Sequence, residues 1–141
     1  MKKIVIVSHG TLAKGTYEAA KMIYGELTNV IYLCLEENMG IENYKNKLTD
    51  IIQDISNVDQ IVVLSDIKGG SPYNSVVSIL SEKGLLKKSK ILTGLNLPML
   101  LSILFIENEI TENEIMDIIT TSKEGIISFK IGKEDQDVET I

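Results

Sequence analysis

Short runs of apolar, mostly β-branched residues alternate along the chain with longer stretches in which apolar residues recur every three or four positions. The short runs predict five strands, at residues 3–7, 30–35, 61–64, 90–93 and 126–131. The longer stretches predict five helices, over about residues 12–26, over about residues 41–55, after Ser71, from Pro98 to about Ile106, and after Thr111.

Residues typical of helix ends mark two of these helices. Ser71 is expected to cap the third helix, Pro72 suits its first helical position, and Gly84 suits a left-handed residue after its end. The last helix begins with capping-box spacing at residues 111–114 and ends at Gly125. Both helices therefore have boundaries that the sequence itself defines.

Strands and helices alternate, which is typical of an α/β fold with a doubly wound, mostly parallel sheet and helices on both faces. Right-handed crossovers leave few topologies, and we expect the strand order 2-1-3-4 with the C-terminal strand at an edge. In this order the chain reverses direction between strands 1 and 3. Ligand sites of such sheets lie beyond the carboxyl ends of the strands that flank the reversal. Two loops are therefore candidates for a site, residues 8–11 and residues 66–72.

Length and composition narrow the possible functions. The 141 residues suit one domain, predicted over residues 1–131, followed by an acidic, flexible tail at residues 132–141. The chain has no Arg and a net charge of −6, which argues against nucleic acid or an anionic membrane as a partner. The N-terminal apolar stretch is too short for a signal peptide, and no later stretch is long enough to span a bilayer. A cytoplasmic location is expected.

The single His of the chain and an Asp end the two strands that flank the reversal. His9 follows strand 1 and precedes Gly10, which lets another backbone segment come close. Asp66 follows strand 3, and because neighbouring strands lie about 4.8 Å apart, its carboxylate can reach the imidazole. Such a carboxylate fixes the tautomer of the ring and leaves the other ring nitrogen free to react. The alternatives are a structural His and an Asp that only turns the chain.

The second loop also has the composition of an anion site. Gly69 and Gly70 allow a tight turn with converging amides, and Ser71 and Pro72 begin a helix whose amino end is partially positive. Beside His9, this arrangement favours a phosphoryl group on the imidazole, held by main-chain amides and the Ser71 hydroxyl. An ordinary turn before a capped helix would have the same sequence.

A third loop, residues 94–99, follows the fourth strand and is expected on the same rim of the sheet. Asn96 is a candidate to hydrogen-bond across to the other two loops, although a plain strand-to-helix turn is the alternative. The residues predicted to form a rim that a partner contacts are Gly10, Thr11, Pro72, Asn96, Leu97, Pro98 and Met99.

Several other chemistries lack the residues that they need. The chain has no phosphate-binding loop of the nucleotide-binding type. Its single His and its single Cys, Cys34, which stands in an apolar run and is expected in the core, cannot complete a zinc site. We therefore expect neither a metal nor a cofactor. Ser8 points to the opposite face of the strand from His9, which argues against a Ser–His nucleophile.

Three segments, in this order along the chain, resemble the IIA component of the mannose family of the bacterial sugar phosphotransferase system. They are the first strand with its His-Gly end, the segment from Asp66 to Asn74, and the third loop, at residues 5–10, 66–74 and 94–100. The resemblance covers about residues 3–131 and implies a phosphotransferase of the mannose, fructose and sorbose class.

In that family, the residue matching His9 would take a phosphoryl group from the histidine-containing phosphocarrier protein and pass it to a IIB component. The membrane components IIC and IID would then act as sugar is taken up and phosphorylated. The resemblance implies that the phosphoryl group sits on the ring nitrogen away from Asp66 and that Ser71 contacts it. It also implies a homodimer that exchanges the C-terminal strand, here residues 126–131. No IIB domain follows in this chain, so the IIB partner is expected to be a separate protein.

Other classes of protein share part of this pattern. The phosphocarrier subunit of a phosphotransferase-dependent dihydroxyacetone kinase resembles the same fold and histidine chemistry, but Ser71-Pro72 favours the sugar system. A tetrapyrrole metal chelatase resembles the strand with its His-Gly end, but this chain has no second His. A histidine phosphatase would need Arg, which is absent. A doubly wound module that only binds a protein partner is the non-catalytic alternative.

Overall fold

Four parallel strands form the centre of the molecule. The structure, a computed structural model, describes residues 1–132, so the predicted tail lies outside the described residues except for Gly132. The strands are β1 (Lys2–His9), β2 (Val30–Leu35), β3 (Gln60–Ser65) and β4 (Ser89–Thr93). They are ordered β2-β1-β3-β4, which confirms the predicted order 2-1-3-4.

Five helices cover the two faces of this sheet. They are α1 (Leu12–Tyr24), α2 (Ile41–Asp54), α3 (Ser71–Glu82), α4 (Leu97–Leu104) and α5 (Glu112–Glu124), and a short 3-10 turn at Leu86–Lys88 leads into β4. The first helix and the fourth each end two residues earlier than the sequence suggested. The α/β class with helices on both faces is confirmed.

The alternation of side chains along β1 divides the core into two layers. Ile4 and Ile6 pack with apolar residues of α1, α4 and α5, whereas Val5 and Val7 pack with those of α2 and α3. All four side chains are fully buried, as expected for a central strand covered on both faces. By the same alternation, Ser8 points to the α1 side, where its hydroxyl accepts a hydrogen bond from the Ala13 amide at 2.7 Å. His9 therefore faces the α3 side.

The two ends of α3 differ in how well the sequence predicted them. Gly84 has φ +68° after the helix, as expected for a left-handed residue. The prediction that Ser71 caps the helix is wrong, because Gly70 is the N-cap and Ser71 is already the first helical residue. The extended backbone of Gly70, with φ −75° and ψ 167°, places the start of the helix one residue earlier. The capping box predicted at residues 111–114 is confirmed at the start of α5, with both reciprocal hydrogen bonds present.

The predicted fifth strand is not formed in the single chain. Residues 126–131 follow α5 without strand pairing, and their apolar side chains are exposed. A strand needs the edge of a sheet to supply its hydrogen bonds, and within residues 1–132 no segment pairs with the outer edge of β4. The β-branched pattern of this segment therefore favours a strand, but within residues 1–132 the segment has no paired neighbour that would complete one.

The strands all point the same way, so their carboxyl ends form one rim. Val7 of β1 lies beside Ser65 of β3 in the register. The end of β1 and the loop that follows β3 therefore lie at the same edge of the sheet. Within the described residues, no helix is long and apolar enough to cross a membrane.

Candidate functional site

His9 and Asp66 meet at the rim where the chain reverses direction. The Nδ1 atom of His9 lies 2.8 Å from Oδ2 of Asp66, and the main-chain amide of His9 donates to the same oxygen at 2.8 Å. The His9 side chain is 51% exposed and that of Asp66 only 11%. The structure thus brings together the two residues that the sequence singled out, with the carboxylate behind the ring and the ring open to solvent.

Four donors surround the Asp66 carboxylate. Besides the two groups of His9, the Ile67 amide donates to Oδ1 at 2.8 Å and the Ser65 hydroxyl lies 3.4 Å from that oxygen. Partial burial raises the pKa of Asp66, but the hydrogen bonds from His9 and Ile67 outweigh it, so the net pKa is below the usual value. The group is therefore a carboxylate at neutral pH.

The charge of Asp66 determines which ring nitrogen of His9 carries the proton. An ionised carboxylate can only accept hydrogen bonds, so Nδ1 must be the donor in the contact with Oδ2. In the neutral ring, Nε2 then holds the free lone pair. This arrangement presents a nucleophilic nitrogen toward solvent without any further base.

The glycine loop that follows Asp66 is held in place by α3. Gly69 has φ +84°, a left-handed conformation that favours glycine, and its carbonyl accepts a hydrogen bond from the Asn74 side chain at 3.0 Å. Gly70 lies directly against the His9 ring. The first amides of a helix lack acceptors within the helix, and Pro72 contributes none. Because Gly70 is the N-cap of α3, its contact with the ring places the amino end of the helix beside the imidazole.

The predicted rim is only partly present. Gly10 and Thr11 are exposed beside His9, and Leu97 and Pro98 are half-buried. Pro72 and Met99 are buried, so their assignment to a partner rim is wrong. Each stands in the first turn of a helix, Pro72 as a buried residue of α3 and Met99 of α4 as a member of the core layer that also contains Ile4 and Ile6.

Asn96 also has a different role from the one predicted. Its Oδ1 accepts from the Met99 amide at 2.9 Å, which caps α4, and its Nδ2 donates to the Ser122 carbonyl at 2.8 Å. Both groups of its amide are thus used between α4 and α5. The prediction that Asn96 reaches across to the site loops is wrong.

Sequence reasoning missed three residues near the pair. Leu12 and Ile67 are about half exposed or more, at 50% and 58%, and each stands in or next to one of the two site loops. Asn74 anchors the glycine loop. Ile67 carried a signal, because it is the apolar residue between Asp66 and the glycines, whereas the contact of Asn74 depends on the loop conformation.

A groove of about 490 Å³ lies away from His9, between β4 and α5. Its apolar surface comes from Ile91, Met99, Ile115 and Ile119. Ile126, which follows α5, also lines it. It borders the open edge of β4. Across residues 1–132, no group of three His, Cys, Asp or Glu side chains is placed to hold a metal ion.

Comparison with known proteins gives a consistent result. Residues 3–120 match the model of the family described as "PTS system fructose IIA component". The chain is 28% identical over 117 residues to the fructose-specific EIIA component of Bacillus subtilis, covering 83% of this chain and 78% of that protein.

Solved structures agree with these sequence matches. The phosphotransferase system component EIIA from Streptococcus agalactiae is 31% identical, with a TM-score of 0.74 over 92% of this chain and 98% of that one. The mannose/sorbose-specific IIA subunit from Enterococcus faecalis is 25% identical, with a TM-score of 0.81 over 94% of this chain and 98% of that one.

Proposed function

Because the chain belongs to the family of IIA components of the sugar phosphotransferase system, of the mannose, fructose and sorbose class, we propose that His9 is the residue that carries its phosphoryl group. IIA components are phosphotransferases that relay phosphoryl groups in sugar uptake. The observation that carries the assignment is the half-exposed imidazole of His9 with Nδ1 2.8 Å from the buried Asp66 carboxylate. The dihydroxyacetone kinase subunit and the chelatase are not favoured by the family match.

The transfer step follows from the tautomer. The lone pair of Nε2 attacks the phosphorus of a phosphohistidine on the donor protein, a P–N bond forms to Nε2, and the donor's P–N bond breaks, returning its electron pair to the donor ring. The proton on Nδ1 stays between the ring and Asp66. The carboxylate offsets the positive charge that develops on the imidazole. Transfer between two imidazoles needs positioning more than acid–base catalysis.

The start of α3 is suited to the phosphoryl oxygens. The amides of the glycine loop and of the first helical turn, together with the Ser71 hydroxyl, offer donors without any cationic side chain. The Gly70 amide among them also donates to the Ile67 carbonyl at 3.3 Å. Gly69, Gly70 and Ser71 are our candidates for this role.

We place the histidine-containing phosphocarrier protein as donor and a IIB component as acceptor, with the membrane components IIC and IID acting only through IIB. Exposed Leu12 and Ile67 and the small Gly10 and Thr11 supply uncharged surface beside His9, next to the exposed Lys68 of the same loop. Such a surface suits partners that dock briefly and exclude water from the reactive P–N bond. These partners imply a cytoplasmic location.

The dimer proposed from the resemblance has support in the single chain. Ile127, Phe129 and Ile131 alternate along one side of residues 126–131 and are 80%, 66% and 90% exposed. This spacing is that of a strand with one apolar face. The groove beside β4 and the open edge of that strand are suited to the same segment of a second copy.

The assignment of His9 is tested by incubating the protein with the phosphocarrier, its phosphorylating enzyme and phosphoenolpyruvate, and measuring intact mass at alkaline pH. The wild-type chain should gain one acid-labile phosphoryl group. His9→Ala should gain none and should keep its circular dichroism spectrum. Asp66→Ala should slow single-turnover transfer without abolishing it, because the ring loses its orienting acceptor but keeps its nucleophile. Uptake by His9→Ala would refute the assignment.

A further inference from the structure

Gly70 stands where a side chain would collide with the imidazole. A Cβ atom built on its backbone would lie 2.7 Å from Cε1 of His9 and 3.5 Å from Nε2. It would also lie 3.0 Å from Cγ2 of Ile67. Separations below 3.0 Å are essentially never seen for real Cβ atoms, so any residue larger than glycine requires one of the contacting groups to move.

The backbone of Gly70 gives no other reason for a glycine. Its φ of −75° is open to every L-residue, in contrast to the φ of +84° at Gly69. Residue 70 is also the N-cap of α3, a position at which Ser, Asp and Asn are usually favoured over glycine. What distinguishes the position is therefore the space taken by the His9 ring.

The ring is the part that would give way. The His9 side chain is half exposed, whereas its main chain belongs to β1 and its amide is bonded to Asp66. A methyl group at residue 70 would push on Cε1, the atom between the two ring nitrogens. The ring would then have to turn away from the 2.8 Å contact between Nδ1 and Asp66.

We propose that Gly70 is a positioning residue: the absence of a side chain at this position lets the His9 imidazole keep Nδ1 on Asp66 while Nε2 stays at the amino end of α3. This inference rests on the proposed role of His9 in phosphoryl transfer. It assigns to Gly70 a function separate from any contact of its amide with phosphate, because the amide remains when a methyl group is added.

The test compares Gly70→Ala with Gly15→Ala, a control at a helical glycine where a Cβ meets nothing within 4 Å. The first measurement is the nitrogen NMR spectrum of the His9 ring in the free protein. The wild type and Gly15→Ala should show the tautomer with the proton on Nδ1, and Gly70→Ala should lose that preference. The second measurement is single-turnover phosphorylation, which should fall roughly 10- to 100-fold in Gly70→Ala alone.

A second pair of variants separates the ring from its neighbour. Ile67→Ala with Gly70→Ala removes the other close contact, and it should remain as slow relative to Ile67→Ala as Gly70→Ala is relative to wild type. If Gly70→Ala alone folds poorly, the comparison of the double variant with Ile67→Ala still tests whether a side chain at residue 70 slows transfer. A double variant that transfers at the rate of Ile67→Ala would overturn the proposal, as would a Gly70→Ala protein with an unchanged tautomer or rate.

The two proposals fail in different ways. A wild-type protein that accepts no phosphoryl group would refute the role of His9, and the NMR comparison would still decide whether Gly70 controls the ring. A phosphorylated wild type with an unchanged Gly70→Ala variant would refute only the role of Gly70.

Discussion

Both oxygens of the Asp66 carboxylate accept hydrogen bonds, and one of them contacts His9. One oxygen receives the His9 amide and the ring, and the other receives the Ile67 amide, so main-chain groups hold the carboxylate whatever the ring does. The pKa of Asp66 reflects this, since the hydrogen bonds more than offset the effect of burial. An anion fixed in this way orients an imidazole more reliably than a free side chain could.

The lowered pKa of Asp66 makes a prediction about acid stability. A carboxyl with a lower pKa in the folded than in the unfolded state stabilises the fold above its unfolded pKa, and the gain is lost as pH falls through the folded value. Asp66→Asn should therefore lower the free energy of unfolding at pH 7, by about 1–3 kcal/mol. Its deficit relative to wild type should shrink below about pH 4.

Urea unfolding of both proteins between pH 7 and pH 2.5 measures this difference. Asp50→Asn, at an exposed position on α2, is the matched control and should run parallel to wild type at all pH values. A deficit of Asp66→Asn that stays constant down to pH 2.5 would show that the charge of Asp66 contributes nothing to folding.

The residues of the site were predictable to different degrees. The meeting of His9 and Asp66 follows from strand order alone, because parallel neighbours end at one rim. The contact between Gly70 and the ring was not predictable, since it depends on the ring conformation and on φ and ψ of the loop. Pro72 and Met99 were placed on the rim from their position in the sequence, and the rotation of their helices determined their burial instead.

At the scale of elements, the hydrophobic period predicted the four paired strands and all five helices, because each element buries one face or both against the sheet. The ends were less predictable. The N-cap of α3 is Gly70 and not Ser71, and residues 126–131 have a strand pattern but pair with no strand within residues 1–132. Local sequence favours a conformation, but pairing and capping depend on which neighbour is available.

The amide of Asn96 joins α4 to α5 and should be important for stability. Asn96→Ala removes the acceptor for the Met99 amide and the donor to the Ser122 carbonyl. Ser122 is a buried residue, only 5% exposed. We expect a loss of about 1–3 kcal/mol in the free energy of unfolding, measured by denaturant titration. Asn96→Ser, which keeps a capping oxygen but does not reach Ser122, should recover part of that loss. Full recovery would mean that the hydrogen bond to the Ser122 carbonyl contributes nothing to the free energy of unfolding.

Within residues 1–132, one edge of the sheet stays unpaired beside an apolar surface. β2 and β4 are the edges, and β4 is the one that borders a large apolar groove. An exposed edge next to an apolar surface is a site for unwanted association unless something covers it. A second copy that supplies residues 126–131 would cover both the edge and the groove.

Sedimentation of the full chain at micromolar concentration should therefore give twice the mass of one chain. Ile127→Asp combined with Phe129→Asp places charges on the apolar side of the segment and should give a monomer. Met22→Asp, at a side chain that is 89% exposed on α1, is the control and should remain dimeric. A monomeric wild type would contradict strand exchange and leave the assignment of His9 untouched.

The hydrogen bond from the His9 amide to Asp66 makes the position of the carboxylate independent of the position of the ring. Rotation of the imidazole about its two side-chain bonds leaves the strand and the carboxylate joined, because the main-chain amide still donates to Oδ2. A displaced ring therefore returns to the same acceptor without the rearrangement of any loop.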